Sequence, residues 1–449
     1  MLNVRSAGSL KKGTLMFWSI AVSFFRLHMS VVACAAAALF LTATTVARAS
    51  ETSQPQTTLD DLQRVTTVVP YPRGLQVIDG ELYVLARGRV RGAGGVSAEV
   101  NDQAGTLYIV NPNVTEPAAT EQPGDAVRNN GRVFALPTDP PFKLWRRDAD
   151  PPESDRDTDR PYCTLRWHEP TKSFYLCAFS GIDMPRRPGK PSFSKNLTDA
   201  MLRYDTRINA WREVDRHDPK AGWQYPHHDP AKNNPPHGWL RGANNCLPLG
   251  RWLYGVGKDN SVLIRYDLKP LETNPEAPAP ESQLVLDEKI TLTTGETVKL
   301  FGHSALAYHD RWLYIATRTS SVIFRIPMNE DMTPVTPIRA EIVAYFDPWD
   351  REANTSADLT DMDIDEQGRL YVISAKPSRV FRFTPDPAHP FDGRKGKSPA
   401  WADLAGMTDN PKMKSENVLV WNGHAYVTSG DGYGYQKGAD GAVYRLPID

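Results

Sequence analysis

A short pattern of apolar and polar positions recurs six times along this chain. Each copy has an apolar run, a tight turn and a second run in which an apolar residue precedes a tyrosine. The tyrosines of the six copies are Tyr83, Tyr175, Tyr254, Tyr314, Tyr371 and Tyr426. Such runs on both sides of a turn predict two antiparallel strands per copy. The turns Asp79-Gly80 and Asn422-Gly423 fit this, because these dipeptides accept the positive φ values of a type I′ hairpin turn.

Two further strands follow in the same units. The third recurs as TLYIVNP, MLRYDT, VLIRYDL, VIFRIPM, VFRFTPD and VYRLPID. Outer fourth strands are predicted in five copies, around residues 133–136, 211–214, 283–286, 341–345 and 400–404. The sixth copy has none, whereas an unassigned β-like segment, residues 62–69, precedes the first copy. We expect this segment to complete the last sheet, because a closed ring leaves no exposed sheet edge at its seam.

The repeat therefore predicts an all-β fold, a single six-bladed β-propeller over residues 58–449 that is closed by an N-terminal strand. Length alone would favour about three domains, since domains commonly hold about 150 residues. Two β-sandwiches with accidental similarity are the alternative architecture. Helix signals are scarce.

The first 49 residues read as an export signal. A long apolar run, residues 29–46, follows Arg26 and ends in Ala47-Arg48-Ala49. A cationic start, an apolar stretch and a small-residue end are typical of a secretion signal that is cleaved, here after Ala49, and residues 50–57 would form a linker. The alternative is an uncleaved anchor helix. We expect a secreted or periplasmic protein without membrane contact after signal removal.

Charge narrows the partner classes. Lys and Arg number 52 and Asp and Glu 53, but five of the basic residues and none of the acidic ones lie in residues 1–49. The remainder has 47 basic and 53 acidic residues and is modestly acidic. Nucleic-acid binders normally carry a basic excess, so we expect no nucleic-acid partner. We expect a monomer.

The cysteines allow one disulfide. Cys163 and Cys177 flank a predicted hairpin and would face each other across it, which permits oxidation in an oxidising compartment. The alternative is two buried thiols that pack as small apolar groups. The chain has no CxxC, CxxCH or clustered Cys/His spacing, which disfavours structural zinc and covalent haem.

A polar ring is predicted at one mouth of the propeller axis, where first strands begin. Counting ten residues back from the repeated tyrosines, with a longer turn in the second copy, gives Arg73, Cys163, Asn244, Ser304, Asp361 and Glu416. A one-residue uncertainty in the count adds Asn245 and His303. A small-ligand or metal site would lie here. Alternatively, these residues hold waters in the channel.

A second set of positions is basic. Four residues after the tyrosines lie Arg87, Lys258 and Arg318, and one place further in the fifth copy lies Lys376. This basic collar would bind a carboxylate, sulfate or phosphate group. Alternatively, the cations are solvated or paired with acidic loop residues.

Three long insertions are predicted on the same face, over residues 138–162, 179–200 and 217–245. The third carries Trp223, Trp239 and His237, and flat aromatic side chains suit sugar rings. His237 and His303 each precede a first strand, which makes them candidates for proton transfer. The alternative is a structured lid with surface histidines.

The fifth copy, TDMDIDEQGRLYVISAKPSRVFRFTPD, resembles the repeats of the six-bladed propeller superfamily that includes NHL repeats, the senescence-marker/gluconolactonase family and the paraoxonases. The resemblance is to repeat architecture. It implies a calcium ion at the axial mouth that polarises a substrate carbonyl, held here by Glu416, Asn244 or Asn245 and Asp361. Thr360 stands where that family has its catalytic Asp, and Arg73 would repel a calcium ion.

Two functions from different classes are expected. The first is an extracytoplasmic enzyme that acts on an anionic small molecule, such as a sugar acid, lactone or acidic oligosaccharide, as a lactonase-like hydrolase or a carbohydrate lyase. In it, Arg73, Arg87 and Arg318 neutralise the anion, His303 or His237 transfers the proton, and Asp361 and Glu416 are acid/base groups or metal ligands. The second is a non-catalytic propeller that binds a glycan or a protein. A catalytic site requires His303, Asp361 and Glu416 to converge.

Overall fold

The computed structural model describes residues 61–87, 105–115, 130–138, 141–142, 159–161, 164–180, 198–216, 243–348, 357–375, 377–394, 397–407, 413–431 and 441–448. The predicted export segment and linker, most of the three insertions, Cys163 and Lys376 lie outside these ranges, so the predictions made for them stay predictions. Within the ranges, no helix is both long and apolar enough to cross a membrane.

Six sheets follow one another along the chain. A first strand, β1 (Gln63–Thr66), precedes them. Blade 1 contains β2 (Pro72–Ile78), β3 (Glu81–Ala86), β4 (Leu107–Val110) and β5 (Arg132–Ala135). Blade 2 contains β6 (Asp159–Pro161), β7 (Arg166–His168), β8 (Ser173–Ser180), β9 (Thr198–Asp205) and β10 (Ala210–Arg216). Blade 3 contains β11 (Ala243–Leu249), β12 (Trp252–Gly257), β13 (Val262–Asp267) and β14 (Ser282–Leu286).

The second half of the ring begins after a two-stranded hairpin. The hairpin consists of β15 (Lys289–Thr291) and β16 (Thr297–Lys299). Blade 4 contains β17 (His303–His309), β18 (Trp312–Thr317), β19 (Val322–Pro327) and β20 (Glu341–Tyr345). Blade 5 spans β21 (Leu359–Ile364), β22 (Leu370–Ala375), β23 (Ser378–Phe383), β24 (Phe391–Asp392) and β25 (Ala402–Asp403), of which β24 pairs with β20 of blade 4. Blade 6 contains β26 (Met413–Lys414), β27 (Val418–Trp421), β28 (His424–Asp431) and β29 (Ala442–Pro447).

Helix is nearly absent from the described residues. It consists of a 3₁₀ turn (Glu169–Thr171) and the short helices α1 (Lys269–Thr273) and α2 (Leu404–Met407). In each blade the strands form an antiparallel meander. The outer strand of blade 6 is β1, which pairs antiparallel with β29. The predicted six-bladed propeller, closed by an N-terminal strand, is therefore confirmed.

The repeated tyrosines have a structural role in the sheets. In five blades the tyrosine of the second strand lies opposite an arginine of the third. The pairs are Tyr175–Arg203, Tyr254–Arg265, Tyr314–Arg325, Tyr371–Arg382 and Tyr426–Arg445. In blades 3, 4 and 5 the same arginine also lies over a tryptophan ring, at 4.2, 4.0 and 5.0 Å from its centroid. Such cation–π contacts stabilise these three sheets.

A β-bulge recurs near the start of the first strand in four blades. The register with the second strand shifts between Pro72 and Gly74, Ala243 and Asn245, His303 and Ala305, and Leu359 and Asp361. The bulged residues are Arg73, Asn244, Ser304 and Thr360. In a bulge, two residues of one strand lie opposite a single residue of the partner strand, which changes the direction of the neighbouring side chains. This irregularity determines which residues reach the axis.

Candidate functional site

Two layers of residues lie at the axial mouth, and strand register defines both. We call the bulged residues and their blade 6 equivalent the bulge ring: Arg73, Asn244, Ser304, Thr360 and Glu416. The next residue in each of these blades, together with Thr164 of blade 2, forms the second ring: Gly74, Thr164, Asn245, Ala305, Asp361 and Asn417. Thr164 is assigned from the register of Arg166 opposite Tyr175. The amide of Thr428 donates to the carbonyl of Asn417, which fixes blade 6 in this alignment. All of these residues are buried.

The alignment settles the one-residue uncertainty of the sequence count. Arg73, Asn244, Ser304 and Glu416 occupy equivalent positions, as the count gives. In blade 5 that position belongs to Thr360, and Asp361 lies one place further, in the second ring with Asn245.

Asp361 is the hub of the second ring. Its Oδ1 accepts hydrogen bonds from Asn245 Nδ2 at 2.7 Å and from Arg166 Nη2 at 3.3 Å. Its Oδ2 accepts from the amide of Val418 at 3.2 Å and from Asn417 Nδ2. These donors belong to blades 2, 3 and 6, whereas Asp361 belongs to blade 5. Because blades 2 and 5 are opposite in a ring of six, the contact between Arg166 and Asp361 crosses the axis.

The protonation of Asp361 is set mainly by burial. Its exclusion from water raises the pKa of this carboxyl to about 7, while the charge of Arg166 and the hydrogen bonds from Val418 and Asn245 act in the opposite direction. Burial also raises the pKa of Asp363, two residues along β21. A carboxyl that titrates near neutral pH in such a site is a candidate for proton transfer.

The predicted cations of the mouth are paired with acids from neighbouring blades. Arg73 of blade 1 forms a buried ion pair with Glu416 of blade 6. Arg318, which follows β18 of blade 4, forms an ion pair with Asp358, which precedes β21 of blade 5. For Arg318, this matches the alternative given for the basic collar, in which its cations are paired with acidic residues.

The other members of the basic collar differ in environment. Arg87 is buried, and its guanidinium lies 5.5 Å from the centroid of the Tyr71 ring, which also packs against Arg73 at 4.8 Å. Lys258 is half-buried in the turn after β12. Lys376 lies outside the described residues.

His303 packs into the protein core. It precedes the bulge of blade 4, so strand alternation places its side chain on the opposite side from Ser304. Its ring packs against Phe324, with 5.7 Å between centroids, and burial lowers its pKa to about 4. The backbone of Val262 and Leu300 also lies beside the ring. The structure does not bring His303 together with Asp361.

Three predicted site residues lie in the long insertion outside the described ranges: His237, Trp223 and Trp239. Cys177 is buried, and Cys163 lies outside the described residues, so the disulfide stays a prediction.

Sequence reasoning missed three residues of the mouth. Arg166 lies two places after Thr164 on the first strand of blade 2, where strand alternation returns a side chain to the axis. Asn417 follows Glu416 directly. Asp358 pairs with Arg318. Applying both possible registers to every copy would have found Thr164 and Asn417, whereas Arg166 lies two residues beyond the later count.

Four buried oxygen atoms of the two rings accept no hydrogen bond from the described residues. They are Thr164 Oγ1, Asn244 Oδ1, Asn245 Oδ1 and Thr360 Oγ1. The amide nitrogens of the two asparagines, by contrast, donate to the Ser304 carbonyl at 2.5 Å and to Asp361. A buried polar atom without a partner costs about 1–3 kcal/mol. These oxygens are therefore where donors of a bound molecule would be accepted.

The residues expected to hold calcium are arranged around cations of the protein. Asp361 faces the guanidinium of Arg166, and Glu416 faces that of Arg73. Among the described residues, no three His, Cys, Asp or Glu side chains come together as a metal-binding group. A calcium ion requires several oxygen ligands, and neighbouring guanidinium groups repel it. As arranged, this set of residues does not fit calcium.

The fold and mouth define the chain as a six-bladed β-propeller with a buried polar axial site. No protein-family model matches the chain, and no curated protein matches it in sequence. Among solved structures it is similar to the PQQ-bound aldose sugar dehydrogenase of Streptomyces coelicolor, with 13% identity over 86% of this chain and 97% of that one and a TM-score of 0.43.

Two other solved structures are similar at the same level. For virginiamycin B lyase of Staphylococcus aureus, the identity is 10% over 86% of this chain and 99% of that one, with a TM-score of 0.38. For an auxiliary nutrient binding protein of Bacteroides thetaiotaomicron, the identity is 9% over 87% of this chain and 72% of that one, with a TM-score of 0.41. At such values these likenesses say nothing about the chemistry of this chain.

Proposed function

We propose that this protein is an extracytoplasmic enzyme that binds a hydroxyl-rich small molecule, of the sugar or sugar-lactone class, at the axial mouth. Asp361 is its proton-transfer group. The observation that carries the proposal is the set of four buried oxygens without hydrogen-bond donors that surrounds Asp361 in the two rings: Thr164 Oγ1, Asn244 Oδ1, Asn245 Oδ1 and Thr360 Oγ1.

The unpartnered atoms favour a ligand that brings several donors. All four atoms can accept, and the two threonine hydroxyls can also donate. A polyhydroxylated molecule, whose hydroxyls both donate and accept, therefore complements them better than a carboxylate or phosphate, which only accepts. The arginines of the mouth are also engaged. An anionic ligand would have to compete with Glu416 for Arg73 and with Asp358 for Arg318. A neutral sugar or lactone fits the site better than a strongly acidic oligosaccharide.

Asp361 suits the role of general base. A carboxyl with a pKa of about 7 is half-ionised at neutral pH and can both accept and return a proton. In lactone hydrolysis, Asp361 would take a proton from water as the water oxygen bonds to the carbonyl carbon. The ring C–O bond then breaks, and the proton goes to the departing alkoxide oxygen. In the alternative β-elimination, the same carboxylate would remove the proton next to the carboxyl or carbonyl group. A C=C bond would form as the C–O bond at the β-carbon breaks, and the departing oxygen would take up the proton that Asp361 has accepted.

A substrate panel tests the proposal. The mature protein is incubated with neutral sugars, sugar lactones and acidic oligosaccharides, beside Asp361→Asn, Thr164→Val and Thr360→Val. We expect Asp361→Asn to lower kcat/KM by about 100-fold or more, as is usual when a general base is lost. Each Thr→Val change should raise KM by up to about tenfold, the size of one hydrogen bond.

Thr106→Val is the matched control. Thr106 Oγ1 is also buried without a hydrogen-bond partner among the described residues, but Thr106 precedes β4 and is not on a first strand. This variant should retain wild-type kinetics. If Asp361→Asn turned over a substrate as fast as the wild type, the proposed role of Asp361 would be excluded. If the wild type turned over no compound of the panel, the proposed enzymatic activity would lose its support.

One observation favours a second candidate, a propeller that binds such a ligand without transforming it. Both oxygens of Asp361 already accept hydrogen bonds from the protein, as in carboxylates that hold a structure together. Calorimetry separates the two candidates. Binding of a panel member without turnover, weakened by Thr164→Val and Thr360→Val, would favour the binding protein.

A further inference from the structure

A side chain of the protein provides positive charge on the propeller axis. Arg166 lies on β7, opposite Tyr175 of β8, and its side chain is only 8% exposed. Its Nη2 reaches Oδ1 of Asp361, which lies on the far side of the ring in blade 5. Its Nη1 lies 3.5 Å from the carbonyl of Leu165. Arg166 therefore spans the centre of the ring.

One guanidinium acts on two carboxyls. The charge of Arg166 lowers the pKa of Asp361 and also that of Asp363, against the effect of burial on both. Asp361 and Asp363 are alternate residues of β21, so both face the same side of that strand. In related propellers the resemblance implies a calcium ion beside carboxylates at this mouth. Here a guanidinium of the protein lies beside Asp361.

The amides around Asp361 are turned to suit a guanidinium. Asn245 and Asn417 both donate from Nδ2 to the Asp361 carboxylate. Their side-chain oxygens therefore point away from it, and the carboxylate is left as the group that pairs with the Arg166 guanidinium. Asn245 Oδ1, the oxygen that a metal ion would need, accepts no hydrogen bond among the described residues. If the guanidinium were absent, Asp361, Asp363 and Asn245 could supply oxygen ligands to a hard divalent cation.

We propose that Arg166 is the resident cation of this axis and takes the place of a metal ion. The protein accordingly needs no divalent cation at the mouth. Removal of the Arg166 side chain leaves a carboxylate-rich cavity that takes up calcium. The proposal concerns charge and stability at the axis and does not rest on the proposed function, so a protein without enzymatic turnover leaves it intact.

The test compares thermal unfolding of the mature protein in EDTA and in millimolar calcium chloride, together with calcium titration calorimetry. For the wild type we expect equal unfolding temperatures and no calcium heat. For Arg166→Ala we expect a lower unfolding temperature in EDTA, a rise that grows with calcium concentration, and binding of one calcium ion. A ligand that binds only the folded state stabilises it in this way.

Two controls keep the test decisive. Arg212→Ala removes an exposed guanidinium of the same blade, paired with Glu276, and should show no response to calcium. Arg166→Lys retains a positive charge on the axis, and it should fold and stay insensitive to calcium even if Arg166→Ala does not fold.

Three results would overturn the proposal. One is a wild type that loses stability in EDTA or binds a calcium ion at the mouth. Another is a folded Arg166→Ala protein that does not respond to calcium. The third is calcium binding by Arg166→Lys.

Discussion

Arg166 and Asp361 join two blades that are opposite each other in the ring. The guanidinium of blade 2 and the carboxylate of blade 5 are both buried, and Asn245, Asn417 and the amide of Val418 also donate to the carboxylate. Propeller blades normally contact only their neighbours, so this pair adds a connection through the axis. Its contribution to stability can be measured.

The first prediction concerns the coupling of this pair. Arg166→Ala leaves a buried carboxylate without its charge partner, a change that typically costs about 3–5 kcal/mol. In the presence of Asp361→Asn, the same change should cost less, because the carboxylate that pairs with Arg166 is gone and only Asp363 remains near the guanidinium. Urea unfolding of the wild type, the two single variants and the double variant measures the coupling energy. Additive effects would show that the contact carries no specific interaction.

The second prediction concerns the ion pair between Arg73 and Glu416. Glu416→Gln leaves the Arg73 guanidinium buried without its carboxylate, and we expect a loss of about 3–5 kcal/mol in the free energy of unfolding. The exposed pair of Arg212 and Glu276 is the control, and Glu276→Gln should cost at most about 1 kcal/mol. Equal losses in chemical denaturation would contradict the burial argument.

The third prediction concerns the pH dependence contributed by His303. Its folded pKa of about 4 lies below the ordinary value of 6.5, so the unfolded chain binds this proton first as the pH falls. The contribution of His303 to stability is present above pH 6.5 and is lost between pH 6.5 and pH 4, by about 3 kcal/mol in total.

The His303→Phe variant tests this. The ring already packs against Phe324, so an aromatic replacement keeps that contact. Between pH 7 and pH 4, the unfolding free energy of this variant should fall by less than that of the wild type. Phe324→Leu, which alters the same ring packing without removing a titratable group, is the control and should retain the wild-type slope. An unchanged slope in His303→Phe would show that the imidazole titrates as in the unfolded chain.

The fourth prediction concerns Asp361, whose effect has the opposite sign. Its folded pKa of about 7 lies above the ordinary 3.8, so the folded state binds this proton first as the pH falls. Asp361 therefore adds stability as the pH drops from 7 towards 4. Asp361→Asn should abolish this gain, measured as unfolding free energy against pH. A variant with the same pH profile as the wild type would place the pKa of Asp361 near its ordinary value.

The sequence repeat predicts the fold well because every blade packs the same kind of antiparallel sheet against its neighbours and therefore needs the same pattern of apolar positions. The predicted outer strand at residues 341–345 coincides with β20, and the predicted front segment forms β1 of blade 6. The alternation of apolar residues and the paired turns are local features, so each copy shows them independently.

The mouth was less predictable because it depends on a local irregularity and on contacts between distant blades. A bulge shifts one residue, so Thr360 takes the counted position and His303 falls on the core side. The partner of Asp361 lies 195 residues earlier in the chain, at Arg166, and no spacing rule within a single copy reveals it.

The last prediction concerns Gly74, where blades 1 and 2 approach closely. A Cβ atom at this position would lie 2.6 Å from the Cβ and 2.8 Å from the backbone nitrogen of Leu165. Ala305, the equivalent residue of blade 4, carries a Cβ and is buried without such a conflict. Leu165 directly precedes β7 and lies between Thr164 and Arg166, two residues of the mouth. It can therefore move away only if these two residues move with it. Gly74→Ala should therefore lower the free energy of unfolding by at least about 1–3 kcal/mol, the usual cost of overpacking. Ala305→Gly, which only removes a methyl group, should cost about 1 kcal/mol. Thermal unfolding of both variants checks the difference, and a Gly74→Ala protein as stable as the wild type would mean that the two inner strands are further apart than this contact requires.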